Sequence, residues 1–262
     1  MKKYLYAFGL LLAFGQVSGQ VTINTITPTN VFCNGSCDGD ITIDATGLTP
    51  PVEYSINGGA TYQAGNIFTG LCAGTYDVLV QDANVSPVTQ IVNITEPTLL
   101  NPTASSTDIT CNGYCDGTAD VTAFGGIGPY TYSWTPSGGF ASTATGLCAG
   151  TYDCTVTDAN GCVANTATVT ITEPTQLIAT STSTDITCFG SCDGNATVSA
   201  SGGSGSYTYS WPSGGTVSSE TGLCAGTYTV TVTDGFCTVT ENVVVTEPTQ
   251  LIATSTSTDI TC

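Results

Sequence analysis

The segment Gly146-Leu147-Cys148-Ala149-Gly150-Thr151-Tyr152-Asp153-Cys154-Thr155-Val156-Thr157-Asp158-Ala159-Asn160-Gly161-Cys162 points to β structure. Gly150 to Asp158 reads as a strand, and Asp158-Ala159-Asn160-Gly161 closes it as a turn. Asn-Gly between alternating stretches is a strong hairpin signal, because tight hairpin turns need backbone angles that these two residues tolerate. Upstream, Tyr130-Thr131-Tyr132-Ser133-Trp134 alternates with period two and places Tyr130, Tyr132 and Trp134 on one face.

The pattern repeats along the chain. Gly70 to Tyr76, Gly146 to Tyr152 and Gly222 to Tyr228 are the same heptapeptide. Cys33-Asn34-Gly35-Ser36-Cys37-Asp38-Gly39 returns at Cys111 to Gly117 and at Cys188 to Gly194, and Thr95-Glu96-Pro97-Thr98 returns at Thr172 and Thr246. The spacings lie between 74 and 78 residues. The aromatic strand recurs as Tyr207, Tyr209 and Trp211, and in the first repeat as Val52, Tyr54 and Ile56. A last strand, such as Val239 to Val245, precedes each Thr-Glu-Pro boundary. Six or seven short strands per repeat fit a small two-sheet sandwich, and Tyr76, Tyr152 and Tyr228 suit the tyrosine-corner position of immunoglobulin-like folds. The expected fold is all-β: a tandem array of small immunoglobulin-like β-sandwich modules, disulfide-stapled. The expected divisions are a leader at 1–19, repeats at 20–97, 98–174 and 175–248, and the start of a fourth repeat at 249–262. Thr175 to Cys188 is identical to Thr249 to Cys262, so the chain is expected to be a fragment of a longer protein.

Lys2 and Lys3, an apolar run from Tyr4 to Phe14 and the small residues through Gly19 read as a secretory signal peptide cleaved before Gln20. The run is shorter than the ~20 apolar residues that span a bilayer. An exported, extracellular or cell-surface location follows, without direct membrane insertion. Those two lysines are the only basic residues; beyond them stand 20 acidic residues and no His. Nucleic-acid binding draws its affinity from Lys and Arg on phosphates, so it is excluded. Attraction to anionic lipid fails likewise. General-base and Schiff-base chemistry lose their usual carriers, and Lys–Asn isopeptide staples have no lysine.

Cys-Asn-Gly-x-Cys-Asp-Gly, Gly-Gly-x-x-Pro-Tyr-Thr-Tyr-Ser-Trp, Gly-Leu-Cys-Ala-Gly-Thr-Tyr and Thr-Asp-Ala-Asn-Gly-Cys, in that order, closely resemble SprB repeats. The first repeat departs from the pattern: it has Pro50-Pro51-Val52-Glu53-Tyr54 and lacks both the Trp and the Asn-Gly-Cys. The resemblance implies a very large surface adhesin of Bacteroidetes, a link to gliding motility and export by the type IX secretion route.

Thirteen cysteines in an exported chain read first as disulfides. The favoured pairing joins the second motif cysteine to the Gly-Leu-Cys cysteine: Cys37–Cys72, Cys115–Cys148 and Cys192–Cys224. The first motif cysteine then joins the one after the hairpin, Cys111–Cys162 and Cys188–Cys237. Each such bridge is worth roughly 4 kcal/mol in the chain-entropy picture. A rival pairing, Cys33 to Cys37 and its equivalents, closes a tiny loop and leaves an odd cysteine in each repeat. Cys33, Cys154 and Cys262 remain unassigned: Cys33 because the first repeat has Val85 and Ser86 where the others have cysteine, Cys154 as a surplus in the second repeat, and Cys262 as the first cysteine of an incomplete fourth; a Cys33–Cys154 bridge or an intermolecular link stays open. Zinc fits poorly without His and in an oxidising setting.

Three further readings stand beside the structural one. The stripe Tyr130, Tyr132, Trp134 is either a sugar-stacking platform or, as favoured, a core strand. Asp38, Asp116 and Asp193, or Asp82, Asp158 and Asp234, with Glu96, Glu173 and Glu247 at the boundaries, are either calcium ligands or turn and cap residues; the latter is favoured and no cofactor is expected. Catalysis would need an acidic pair or a free thiol, and acids recurring at turns look structural, so no enzyme is expected. The functional expectation is an adhesive repeat segment whose partners are other repeats of the same chain and an extracellular surface or polysaccharide. A secreted carbohydrate-binding array is the alternative.

Overall fold

Strict alternation forms the central strand of each module. In Gly194–Ser201, Gly194, Ala196 and Val198 are buried while Asn195, Thr197 and Ser199 face solvent. One face joins a core and the other meets water, the arrangement period-two sequences produce. The computed structural model describes residues 21–83, 87–166 and 168–259. The expected signal peptide at 1–19, Val85, Ser86 and Cys262 lie outside the described residues.

The first module comprises β1 (Thr22–Thr29), β2 (Gly39–Thr46), β3 (Glu53–Ser55), β4 (Ile67–Leu71), β5 (Gly74–Gln81) and β6 (Val88–Ile94). One sheet has the order β1-β2-β4 and the other β3-β5-β6. The second module runs through β7 (Thr103–Thr107), β8 (Gly117–Thr122), β9 (Thr131–Thr135), β10 (Thr143–Leu147), β11 (Gly150–Thr157), β12 (Val163–Asn165) and β13 (Val169–Ile171). Its sheets are β10-β8-β7 and β12-β11-β13, with β9 also on β11. The third has β14 (Ile178–Thr184), β15 (Gly194–Ser201), β16 (Thr208–Ser210), β17 (Ser219–Leu223), β18 (Gly226–Thr233) and β19 (Thr238–Val245), in sheets β14-β15-β17 and β16-β18-β19. Among the described residues there is no helix.

Each pair of sheets encloses its own core. In the third module Ile186, Ala196, Val198, Trp211, Leu223, Val230, Val232, Val243 and Val245 are buried together. The first module packs Val21, Val31, Ile41, Ile43, Tyr54, Val78, Val80 and Ile94. The aromatic stripe belongs to these interiors. Trp134 and Trp211 are buried, and their indole N–H groups donate to the carbonyls of Ala141 (3.0 Å) and Val217 (2.8 Å). A buried indole needs such an acceptor, so a Trp here both fills the core and ties down its own loop.

By compactness the chain gathers into two units. One holds the first module through Asn101 together with Phe124–Tyr130 and Thr157–Val163; the other holds the remainder of the second module and all of the third. Two loop segments of the second repeat therefore pack with the first module. Gly126 N–H donates to Thr98 O (2.8 Å), and Asn160 Nδ2 donates to Phe32 O (2.8 Å).

Candidate functional site

The Cys-x-Gly-x-Cys loop sits at the end of each module where the long strand β5, β11 or β18 begins, and a recurrent set of bonds builds it. The Thr-Glu-Pro glutamate reaches back to the loop's glycine amide. Gly35 N–H donates to Glu96 (2.7 Å), Gly113 N–H to Glu173 (2.7 Å) and Gly190 N–H to Glu247 (3.2 Å). Just before the loop, Asn30, Asp108 and Asp185 accept the amides of Thr95, Thr172 and Thr246, each at 2.8 Å. The Cys-Asp-Gly aspartate closes the loop from within. Asp193 accepts from Thr187 N (3.0 Å), Thr187 Oγ1 (2.6 Å) and Ser191 Oγ (2.7 Å). The hydroxyls of Thr187 and then Ser191, followed by the Thr187 amide, hold its carboxyl down at about 2. Asp116 is lowered in the same way by the Thr110 hydroxyl and amide, and Asp38 chiefly by Ser36.

The tyrosine at the start of each long strand bonds backwards across this end. Tyr76, Tyr152 and Tyr228 donate their hydroxyls to the carbonyls of Cys72 (2.7 Å), Cys148 (3.0 Å) and Cys224 (2.9 Å). Those cysteines are bridged to the loop: Cys37–Cys72, Cys115–Cys148 and Cys192–Cys224.

At the other end of the long strand lies the hairpin. Asp158 accepts the amides of Ile127, Asn160 and Cys162, each at 2.9 Å, and Asp234 those of Ser204 (2.8 Å), Phe236 (3.1 Å) and Cys237 (2.7 Å). Burial works to raise the Asp158 pKa, but these amides, joined by that of Gly161, outweigh it and leave it lowered. Asp82 accepts from Thr49 N (2.8 Å). The aspartates considered for calcium thus serve backbone amides, and among the described residues no cluster of three or more His, Cys, Asp or Glu could hold a metal ion.

The remaining cysteine pairs differ from the expected ones. Cys162 bonds Cys33 rather than Cys111, and Cys237 bonds Cys111 rather than Cys188. Strand length explains the correction. In the third module Gly226 pairs with Val245 beside the loop end, while Thr233 pairs with Thr238 beside Cys237. Cys188 and Cys237 therefore stand at opposite ends of an eight-residue strand, about 23 Å apart at ~3.3 Å per residue. A disulfide tolerates less than about 7 Å between Cα atoms. The hairpin cysteine instead meets the loop of the preceding module, with Cα–Cα distances of 5.6 Å in both bridges. Cys33, expected to lack a partner, is thereby paired, and the Cys33–Cys154 option falls away. Cys154 is free and buried, with its thiol pKa raised by that burial. It occupies the strand position held by the core valines Val78 and Val230, which accounts for a surplus cysteine there.

Loop, glutamate clip, corner tyrosine and hairpin together define a class: tandem immunoglobulin-like β-sandwich modules, each stapled within itself and tied to its neighbour. Residues 25–61, 103–139 and 180–216 each match the family model of the SprB repeat. Among curated proteins, none matches the chain. Solved structures with some likeness include the C-terminal 282-residue fragment of intimin in complex with the translocated intimin receptor intimin-binding domain. It has 15% identity, covers 60% of this chain and 66% of that one, and has a TM-score of 0.32. Others are surface layer protein SbsC, domains 4–9 (15% identity, 88% and 47% covered, TM-score 0.26), and the N-terminal eight Ig domains of Down Syndrome Cell Adhesion Molecule isoform 1.30.30 (12%, 86% and 36%, 0.34). The chain thus spans less than two thirds of the length of these chains.

Proposed function

We propose that this chain is a non-catalytic repeat segment of an extracellular, cell-surface adhesin, acting through reach and multivalent contact. The observation that supports it best is the threefold match to the SprB repeat, in a chain whose second and third modules each have their hairpin cysteine bonded to the preceding module. Weak contacts repeated along such an array add up through effective concentration, without any one tight site. Gliding motility is the setting the repeat resemblance suggests. A carbohydrate-binding array finds less support, since Trp134 and Trp211 are buried in the cores. The test couples the full chain to microspheres at graded density and scores retention on candidate surfaces under flow. Retention should rise more steeply than in proportion to density, while the free protein competes poorly. Retention linear in density, or tight binding by the free protein, would refute the multivalent reading.

A further inference from the structure

We infer that Cys188 is the attachment point for the hairpin cysteine of a further module of the same repeat type, one that seats its hairpin on the groove beside Phe189 and Pro248. This goes beyond the adhesive reading and does not depend on what the array grips. Three observations meet at this end of the third module.

The first is position. Cys33 and Cys111, the equivalents of Cys188, each bond the hairpin cysteine of the following module. Cys111 is buried at 3% exposure by that arrangement, whereas Cys188 is exposed and free. The second is surface. The groove beside Cys111 is walled by Asn112 and Tyr114 on one side and by Cys237, Thr238 and Val239 of the next module on the other. The corresponding groove beside Cys188 has Phe189 and Pro248 but no hairpin against it. The third is the segment that follows. Ile252–Thr258 repeats the sequence of β14, which pairs with β15, yet residues 246–259 carry no strand pairing. Leu251 is 95% exposed, while its equivalents Leu100 and Leu177 are 7% and 8% exposed. A large apolar side chain and a row of unpaired backbone groups are the features that a following sandwich would cover.

A second copy of this chain does not suit the site, because its Cys162 and Cys237 are already bonded within that copy. The occupant is therefore a module whose hairpin cysteine, three or four residues after the turn aspartate as in Asp234–Cys237 and Asp158–Cys162, is unmatched. Bond formation joins the Cys188 sulfur to the hairpin sulfur. The two thiols give up two protons and two electrons to an exported disulfide oxidant, whose own disulfide becomes a dithiol.

Because Thr249–Cys262 repeats Thr175–Cys188, a copy of residues 189–248 appended to the full chain completes a fourth repeat without a seam. Peptide mapping under non-reducing conditions should find Cys188 joined to the appended hairpin cysteine. Alkylation of Cys188 should fall at least tenfold relative to the 262-residue protein, and return when the appended cysteine is replaced by Ser. A Cys188 that stays alkylatable, pairs with Cys262 or links two chains would overturn the proposal. The pairing rule is also tested without any extension. Cys33→Ser in the full chain should leave Cys162 as a newly alkylatable thiol, and a Cys162 that remains protected would refute the rule.

Discussion

At Gly39, Gly117 and Gly194 the backbone passes so close to its neighbours that a single carbon has no room. A Cβ on Gly194 would lie 2.7 Å from Val245 Cγ1 and 3.0 Å from Leu223 O, and one on Gly117 2.7 Å from Ile171 Cγ2. Overpacking of this kind destabilises by about 1–3 kcal/mol. Gly194→Ala should lower the denaturation midpoint accordingly, whereas a change at exposed Ser199 should leave it in place. Acid sensitivity also belongs to single residues. Asp193 has its carboxyl lowered from 3.8 to about 2 by hydroxyls and an amide that favour the ionised form. Its contribution is complete above the ordinary carboxylate pKa and is lost as pH falls through about 2. The Tm gap between the natural protein and Asp193→Asn should therefore be widest near neutral pH and close as acid approaches about pH 2. A gap independent of pH would show that the carboxylate's charge is not involved.

At the scale of elements, each long strand connects two differently built ends. The loop end is held by a disulfide, a glutamate clip and a tyrosine hydroxyl; the hairpin end is held by one aspartate collecting amides. Between them the core rests on few large side chains, and Trp211, 3% exposed, is the bulkiest in its cluster. Trp211→Ala removes that volume and leaves Val217 O without its indole donor. Loss of about 3–5 kcal/mol is expected, measured by urea unfolding of the full chain. The effect should fall on the third module, seen as loss of amide protection in β15 and β18 while β2 and β5 keep theirs. Strand identity was legible in the alternation, and the hairpin of the second module in Asp158-Ala159-Asn160-Gly161. The strand ends mattered more, because they set which cysteines could meet.

For the whole molecule, the two inter-module bridges provide a covalent path that bypasses the Thr-Glu-Pro-Thr junctions. With a protease site inserted between Pro174 and Thr175, cleavage should leave one band on a denaturing gel without reductant and two bands with it. The same cut in a Cys111→Ser protein should give two bands in both lanes. Separation without reductant in the unsubstituted chain would mean that Cys111–Cys237 is not formed. The pairing one module out of step had a trace in the sequence. Among the three complete repeats, all have the first-motif cysteine but only two have a hairpin cysteine, and the repeat without one is the first. In-module pairing strands Cys33 at the start; pairing to the next module strands Cys188 instead.

Local chemistry carried in the residues was enough for the all-β class, the module repeat and the close bridges Cys37–Cys72, Cys115–Cys148 and Cys192–Cys224. Alternation, turn residues and loop spacing act over a few residues or within one small sheet, where sequence distance tracks spatial distance. Which module each hairpin cysteine reaches depends on where a strand of eight residues delivers it, and on what stands beyond that point. Those are properties of packed sheets, so partners 129 and 126 residues apart, Cys33–Cys162 and Cys111–Cys237, emerged with the folded arrangement.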